Sequence, residues 1–249
     1  MSRIRAFYEQ PTTTRRAGEA LARVQAATIV DVLATTGAGT GGGTAPLVVD
    51  VGCGDGMIGG VVHAALAAHP KTGSAAVLGT DWSSAAVAAA GRHGLVAVQA
   101  GLEPPGLPLA AAAADVVLLS EVIEHLVDPD GALEECGRIL RPGGLLVVST
   151  PNLAAWYNRV LLAAGVQPVF SEVSLRAVYG RPGTEVVGHL RLFTRRALVG
   201  LLEARGFTEV RVAGAPYHDV PRPLRPLDRL LCRVPSLSSL LVASCRKPA

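Results

Sequence analysis

Apolar residues recur along this chain in two alternating rhythms. Leu47-Val48-Val49-Asp50-Val51 and the segments 75–80, 95–99, 115–120 and 145–150 are short, nearly continuous apolar runs, the length of strands covered on both faces. Between them, residues 57–68, 83–92 and 129–140 read as helices. Ser83 or Ser84 is placed to cap the second of these, and Arg141-Pro142-Gly143-Gly144 is a stop-and-turn signal after the third. Strand alternating with helix predicts right-handed βαβ units and a parallel sheet. Upstream, residues 15–33 carry Ala17, Leu21, Val24, Ile29 and Val30 at amphipathic spacing, and the Gly/Thr/Ala run 36–44 predicts a loop. Residues 151–191 break the rhythm and are too long for an ordinary connection. A helix over 194–205 capped by Thr194, and strands at 207–213 and 240–245, complete the pattern around a Pro-rich stretch, 216–235.

Composition narrows the classes. The 249 residues fit one large domain, or one domain with a substantial insertion. With 49% hydrophobic and 17% charged residues the chain is not intrinsically disordered. A mean hydropathy of +0.37 raises the question of a membrane span. The longest apolar runs, at 61–68 and 109–119, are broken by His63 and Asp115, and none approaches the ~18–20 residues a spanning helix needs. The first ten residues lack an apolar core after their charges, so no signal peptide is expected. A net charge of +3 is mild for a nucleic-acid binder, and the arginines between 205 and 233 read first as a solvated basic face. Cys53, Cys136, Cys232 and Cys245 have no Cys-x-x-Cys spacing, which argues against a structural zinc motif and points to a reduced, cytoplasmic protein.

The most informative stretch is Asp50-Val51-Gly52-Cys53-Gly54-Asp55-Gly56, where a strand ends, glycines turn the chain and a helix begins. Glycines there permit positive φ and close approach of a ligand to the backbone. Read from Gly52, a dinucleotide fingerprint fails at Met57; read from Gly54 it matches by letter through Gly59, a weak signal alone. Asp50 discriminates: an acid beneath a diphosphate is repelled, whereas beside an ammonium or sulfonium it is attracted.

This segment resembles the first motif of class I S-adenosylmethionine-dependent methyltransferases. Asp81, ending the second strand, resembles that family's ribose-binding acid. Ser120-Glu121-Val122-Ile123-Glu124-His125-Leu126 and the segment 140–152 resemble its later segments, in order. The resemblance implies a Rossmann-like seven-stranded sheet of order 3-2-1-4-5-7-6 with the last strand antiparallel, in one domain over 1–249. It implies a cap helix and loop over 1–45 and a substrate-side insertion or lid over 151–194. It places the methionine moiety of S-adenosyl-L-methionine by Gly52, Cys53 and Gly54, with Asp50 near the amino group and Ser120 on the same side. Asp81 takes the ribose, Trp82 flanks the adenine, and Tyr8 belongs to a segment that folds over the cofactor. The acidic residue that often meets the adenine amine has no clear counterpart; Leu102 or Glu103 stands nearest. The product is S-adenosyl-L-homocysteine.

Glu121, Glu124 and His125, if helical, share one face. With His189 they are similar to the two-Glu, two-His metal site of small-RNA 3′-terminal 2′-O-methyltransferases, in which a divalent ion activates a ribose hydroxyl. The same segment also resembles metal-free small-molecule methyltransferases, where the histidine lines the acceptor pocket, and that reading, without a metal, is the one favoured. His125 and His189 are then the candidate general bases, since an imidazole titrates near neutrality. Glu121, Trp156, Tyr157 and Tyr179 are candidates for the acceptor wall. The expected reaction is methyl transfer to an oxygen, in preference to nitrogen, of a small molecule. An RNA 2′-O-methyltransferase, a non-catalytic cofactor-binding partner subunit and a nicotinamide dehydrogenase are the rivals. A monomer or homodimer is expected. The apolar and basic mixture at 224–231 offers either a packed surface helix or a peripheral membrane contact.

Overall fold

The structure, a computed structural model, describes residues 18–36, 45–103, 106–217 and 220–249. Helix α1 (Gly18–Thr36) precedes β1 (Leu47–Val51), α2 (Met57–Ala68), β2 (Ala76–Asp81), α3 (Ser84–Arg92), β3 (Val96–Gln99) and β4 (Ala114–Ser120). A 3-10 turn at Ile123–His125 leads to α4 (Pro129–Ile139), β5 (Leu140–Pro151), α5 (Trp156–Ala163), α6 (Arg195–Ala204), β6 (Thr208–Ala215), a second 3-10 turn at Arg222–Leu224, α7 (Arg225–Leu231) and β7 (Leu240–Arg246). The seven strands form one sheet of order β3-β2-β1-β4-β5-β7-β6, as expected. Strands β1 to β5 pair in parallel, and β7 runs antiparallel to both β5 and β6.

The sheet is covered on both faces, which explains its unbroken apolar strands. Successive residues of β1 point to opposite sides: Val48 packs with Leu21, Ile29, Val62 and Leu66 beneath α1 and α2. Val49 packs with Leu133, Ile139, Leu198 and Leu202 beneath α4 and α6. Side chains fix the starts of three helices. Ser83 accepts from the Ala86 amide, Asp128 from Gly131 with Pro129 following, and Thr194 from Ala197. Each such cap contributes about 1 kcal/mol.

Two segments differ from expectation. Arg141-Pro142-Gly143-Gly144 lies within β5 rather than before it. The register runs Ala114↔Leu140 and then Val116↔Leu145, so an irregularity absorbs the extra residues, and Gly143 takes φ +72°. Arg141 also pairs with Asp115 across it at 2.7 Å. The Pro-rich 216–235 stretch is not plain coil but holds α7, begun where Pro226 suits a first helical turn. Tyr8 and most of the 36–44 loop lie outside the described residues. Among the described residues, no helix is long and apolar enough to cross a membrane. All four cysteines are buried and free.

Candidate active site

The carboxyl ends of β1, β2 and β4 meet at the glycine turn, the usual location of ligands on an open α/β sheet. Gly52, Gly54 and Gly56 take φ of +71°, +54° and +80°. The turn is held down by β2: the amides of Gly52 and Cys53 both donate to the Thr80 carbonyl, at 2.7 and 2.9 Å. A Cβ on Gly52 would lie 2.5 Å from Val122 Cγ2, whereas one on Gly54 would meet nothing within 4 Å. Gly54 therefore faces open space on the side a Cβ would occupy, where a ligand can approach the backbone closely.

Beneath this turn Asp50 is 1% exposed, and its Oδ2 has no hydrogen-bond partner. Burial, with the Asp81 charge adding, pushes its carboxyl up to about 7; the Gly59 amide opposes this. Asp81 is held open at the end of β2, accepting from the Gly54 amide at 3.0 Å and the Ser83 amide at 2.9 Å. Burial raises its pKa too, against those two amides. Two carboxylates under a ring of glycines, one lacking a partner for an oxygen, form a site for a cation. S-adenosylmethionine fits: its ammonium complements Asp50 and its ribose hydroxyls can donate to Asp81. A dinucleotide's diphosphate does not fit, because it would face both acids.

Around them, Trp82 is half-buried, its carbonyl accepting from Gln99 Nε2 at 2.9 Å, with Gly101 alongside. Leu102 packs against the apolar core, while Glu103 is exposed. The Cys53 thiol is pushed up to about 12, chiefly by burial and then by Asp50 and Asp81, so it is not a nucleophile.

At the end of β4 the sequence hid a polar cluster. Gln25, fully buried on α1, donates through Nε2 to Ser120 Oγ at 2.9 Å, and Ser120 Oγ lies 3.2 Å from Ser149 Oγ. Glu121 follows with φ +53°, a strained setting for a non-glycine, and its carboxylate accepts from Ser149 Oγ at 2.8 Å. The helical face expected for Glu121, Glu124 and His125 is therefore not formed: only Ile123–His125 is helical, as a single 3-10 turn, and Glu121 is turned toward β5.

Glu124, His125 and His189 do come together. Their ligand atoms all lie within 4.8 Å of one another. The Nε2 atoms of His125 and His189 each lie 3.9 Å from Glu124 Oε1, with side-chain exposures of 13%, 6% and, for Glu124, 2%. Each Nδ1 faces a backbone carbonyl, His125 that of Gly188 at 3.2 Å and His189 that of Phe170 at 3.1 Å. A carbonyl only accepts, so Nδ1 carries the proton in the neutral ring and Nε2 keeps its lone pair. The amides of Leu190 and Arg191 donate to the Glu124 carbonyl at 2.8 and 2.9 Å, tying the His189 segment to the 3-10 turn. Glu172, missed in the sequence, accepts from the amides of Val187, Gly188 and His189 at 2.7, 2.7 and 3.1 Å and from Arg181 at 3.0 Å.

The acceptor-wall candidates separate. Trp156 donates through Nε1 to Asp228 at 3.0 Å, and burial pushes the Tyr157 phenol well above its usual range. Trp156 thus ties α5 to α7, its amide also donating to the Leu237 carbonyl at 3.1 Å, and Tyr157 is packed inside. Tyr179 is 61% exposed. Phe170 stands beside His189 instead, at 5.6 Å, and meets Tyr217 edge-on at 4.9 Å.

Sheet order and glycine turn define a class I methyltransferase fold. The chain matches the methyltransferase-domain family over residues 21–212 and belongs to it. It is 42% identical over 187 residues, 74% of its length, to a "Probable S-adenosylmethionine-dependent methyltransferase" of Mycobacterium tuberculosis, of which it covers 56%. It is 32% identical over 168 residues, 65% of its length, to a "Ubiquinone biosynthesis O-methyltransferase" of Cupriavidus pinatubonensis, of which it covers 63%. The chain thus spans little more than half the length of these curated relatives. A Thermotoga maritima structure described as a "SAM-dependent methyltransferase, possible histamine N-methyltransferase" superposes with TM-score 0.56 at 17% identity, covering 97% of this chain and 99% of that one, and shows the shared fold.

Proposed function

We propose that this protein transfers the methyl group of S-adenosyl-L-methionine to an oxygen, in preference to a nitrogen, of a small-molecule acceptor. The observation that carries the reading is the pair of buried carboxylates, Asp50 and Asp81, at adjacent strand ends over an open glycine turn. Family membership agrees with it, and the O-methyltransferase relative supports oxygen as the acceptor atom. The bound sulfonium supplies an electrophilic methyl and a neutral thioether leaving group. The chain's own residues do the rest. Asp50 and Asp81 orient the donor, and the Gln25–Ser120–Ser149 cluster fixes the end of β4 beside it. Catalysis then comes largely from aligning nucleophile, methyl and sulfur. The Nε2 lone pairs of His125 and His189 can take the acceptor's proton. Residues 151–194, which carry Phe170 and His189, form the acceptor side, and Trp156 and Tyr157 support that side from within.

Isothermal titration of the full chain with S-adenosyl-L-methionine tests this. Asp81→Ala removes a charged acceptor of two ribose hydroxyls and is expected to weaken binding about 10–100-fold, equivalent to about 1.5–3 kcal/mol. Unchanged donor affinity in Asp81→Ala would sink the assignment.

A further inference from the structure

We infer that Glu121 is the residue by which this chain tells the charged donor from its neutral product, and that Gln25 on α1 positions it. The inference rests on the donor reading above. Methyl transfer turns a sulfonium into an uncharged thioether and leaves the rest of the donor as it was. The amino group and the ribose are common to S-adenosyl-L-methionine and S-adenosyl-L-homocysteine, so Asp50 and Asp81 serve both alike. A fixed negative charge close to the sulfur is what separates them.

Glu121 stands where such a charge is needed. Strands β1 and β4 run in parallel with Val51 opposite Leu119, so the chain leaves the sheet side by side at Gly52 and at Ser120-Glu121. Val122, the next residue, packs directly on the glycine turn: a Cβ on Gly52 would lie 2.5 Å from Val122 Cγ2. Further along the same connection come Glu124 and His125, which meet His189. Glu121 therefore lies at the junction of the donor turn and the acceptor side, across which the methyl must pass.

Its conformation is imposed by its neighbours. A φ of +53° is disfavoured for a residue with a Cβ and persists where the surroundings over-determine it. The Glu121 amide donates to the Ser149 carbonyl and to Ser149 Oγ, each at 3.2 Å, and its carboxylate accepts from Ser149 Oγ at 2.8 Å. An ionised carboxylate only accepts, so the single hydroxyl proton of Ser149 is directed to Glu121. Ser149 Oγ then accepts from Ser120 Oγ at 3.2 Å, and Ser120 Oγ accepts from Gln25 Nε2 at 2.9 Å. From Gln25 onward each donor points toward Glu121, and Gln25, Ser120 and Ser149 are all buried. A one-way chain of this kind is strengthened by the charge at its end and fixes where that charge sits. Gln25 lies between Leu21 and Ile29 on the buried face of α1, where the core alone would take an apolar residue.

The full chain would be titrated by calorimetry with S-adenosyl-L-methionine and, separately, with S-adenosyl-L-homocysteine. Glu121→Gln, which keeps the shape and loses the charge, is expected to weaken the sulfonium ligand about tenfold, the size of one partly exposed charge pair. The thioether ligand is expected to change less than about twofold, which also shows that the variant is folded. Glu121→Asp keeps the charge and is expected to recover part of the loss. Gln25→Leu leaves the carboxylate in place but loosens it, and is expected to shift the ratio of the two affinities about threefold in the same direction. Should Glu121→Gln bind neither ligand, Gln25→Leu and Ser149→Ala carry the test with the same expectation. Equal weakening of both ligands, or an unmoved ratio, overturns the inference while the donor reading stands. A wild-type chain that binds neither ligand removes both.

Discussion

Asp50 sets an opposition between stability and binding at a single residue. Burial raises its carboxyl to about 7 in the fold, above the usual carboxylate value of 3.8, so folding favours the protonated form. The stability this gives is fully present below the unfolded pKa of about 3.9 and is lost as pH rises through about 7. The raised pKa of Asp81 acts with the same sign. Above neutrality the ligand-free fold carries a buried carboxylate with an oxygen that nothing satisfies. Asp50→Asn is therefore expected to stabilise the ligand-free protein at pH 8 by on the order of 2 kcal/mol, roughly 4–8 °C in Tm, and by much less at pH 5. The same change is expected to weaken S-adenosyl-L-methionine binding, because the ammonium loses its counter-charge. Thermal melts at both pH values, with and without the donor, check the two halves. A variant that melts no higher than wild type at pH 8 would mean that Asp50 is not held in a destabilised, binding-ready state.

At the scale of elements, the segment carrying His189 is placed by one buried acid. Glu172, with a side chain 2% exposed, gathers three successive amides and Arg181. Glu172→Gln keeps the shape but removes the charge and turns one acceptor into a donor facing N–H groups, at a local cost of about 2–3 kcal/mol. Faster amide exchange over 185–191 is expected, with kcat reduced and S-adenosyl-L-homocysteine affinity unchanged; a kcat equal to wild type would show that the His189 segment needs no such brace. Nothing in the sequence marks Glu172, because its partners lie nine to seventeen residues away in a segment without periodicity. Gln25 escaped notice similarly: it is a polar residue in an amphipathic helix, and its partner Ser120 lies 95 residues on. The glycine turn was legible because strand, glycines and helix are contiguous there, and both acids sit at strand ends that apolar runs announce. Helical spacing misplaced Glu121 because its positive φ ends the strand before any helix begins. The Pro-Gly-Gly run inside β5 was read as a turn because a strand irregularity and a turn use the same residues.

At the scale of the whole molecule, the surface around α7 is one that neither the core nor the donor site accounts for. Leu224, Leu227 and Leu230 are 41%, 42% and 55% exposed at three-residue spacing, and Val234 follows at 48%. Arg222, Arg225, Arg229 and Arg233 are exposed among them. The one acid within 220–235, Asp228, is buried, accepting from Trp156 Nε1 and from Ser239 Oγ at 2.6 Å, so it offsets none of that charge at the surface. An apolar stripe flanked by arginines complements an anionic lipid surface, where each arginine contributes about 1 kcal/mol and buried leucines add to it. The same Trp156–Asp228 bond fastens α7 to α5, the helix that follows β5. Sedimentation with vesicles containing about 30% phosphatidylglycerol is expected to pull down the full chain at low salt, and less of it at 0.5 M salt, where charge is screened. The double change Leu227→Glu, Leu230→Glu is expected to abolish that binding while leaving donor affinity intact, since neither residue touches the glycine turn. Equal sedimentation with neutral vesicles, or none with anionic ones, would leave α7 as an ordinary packed helix with an uneven surface.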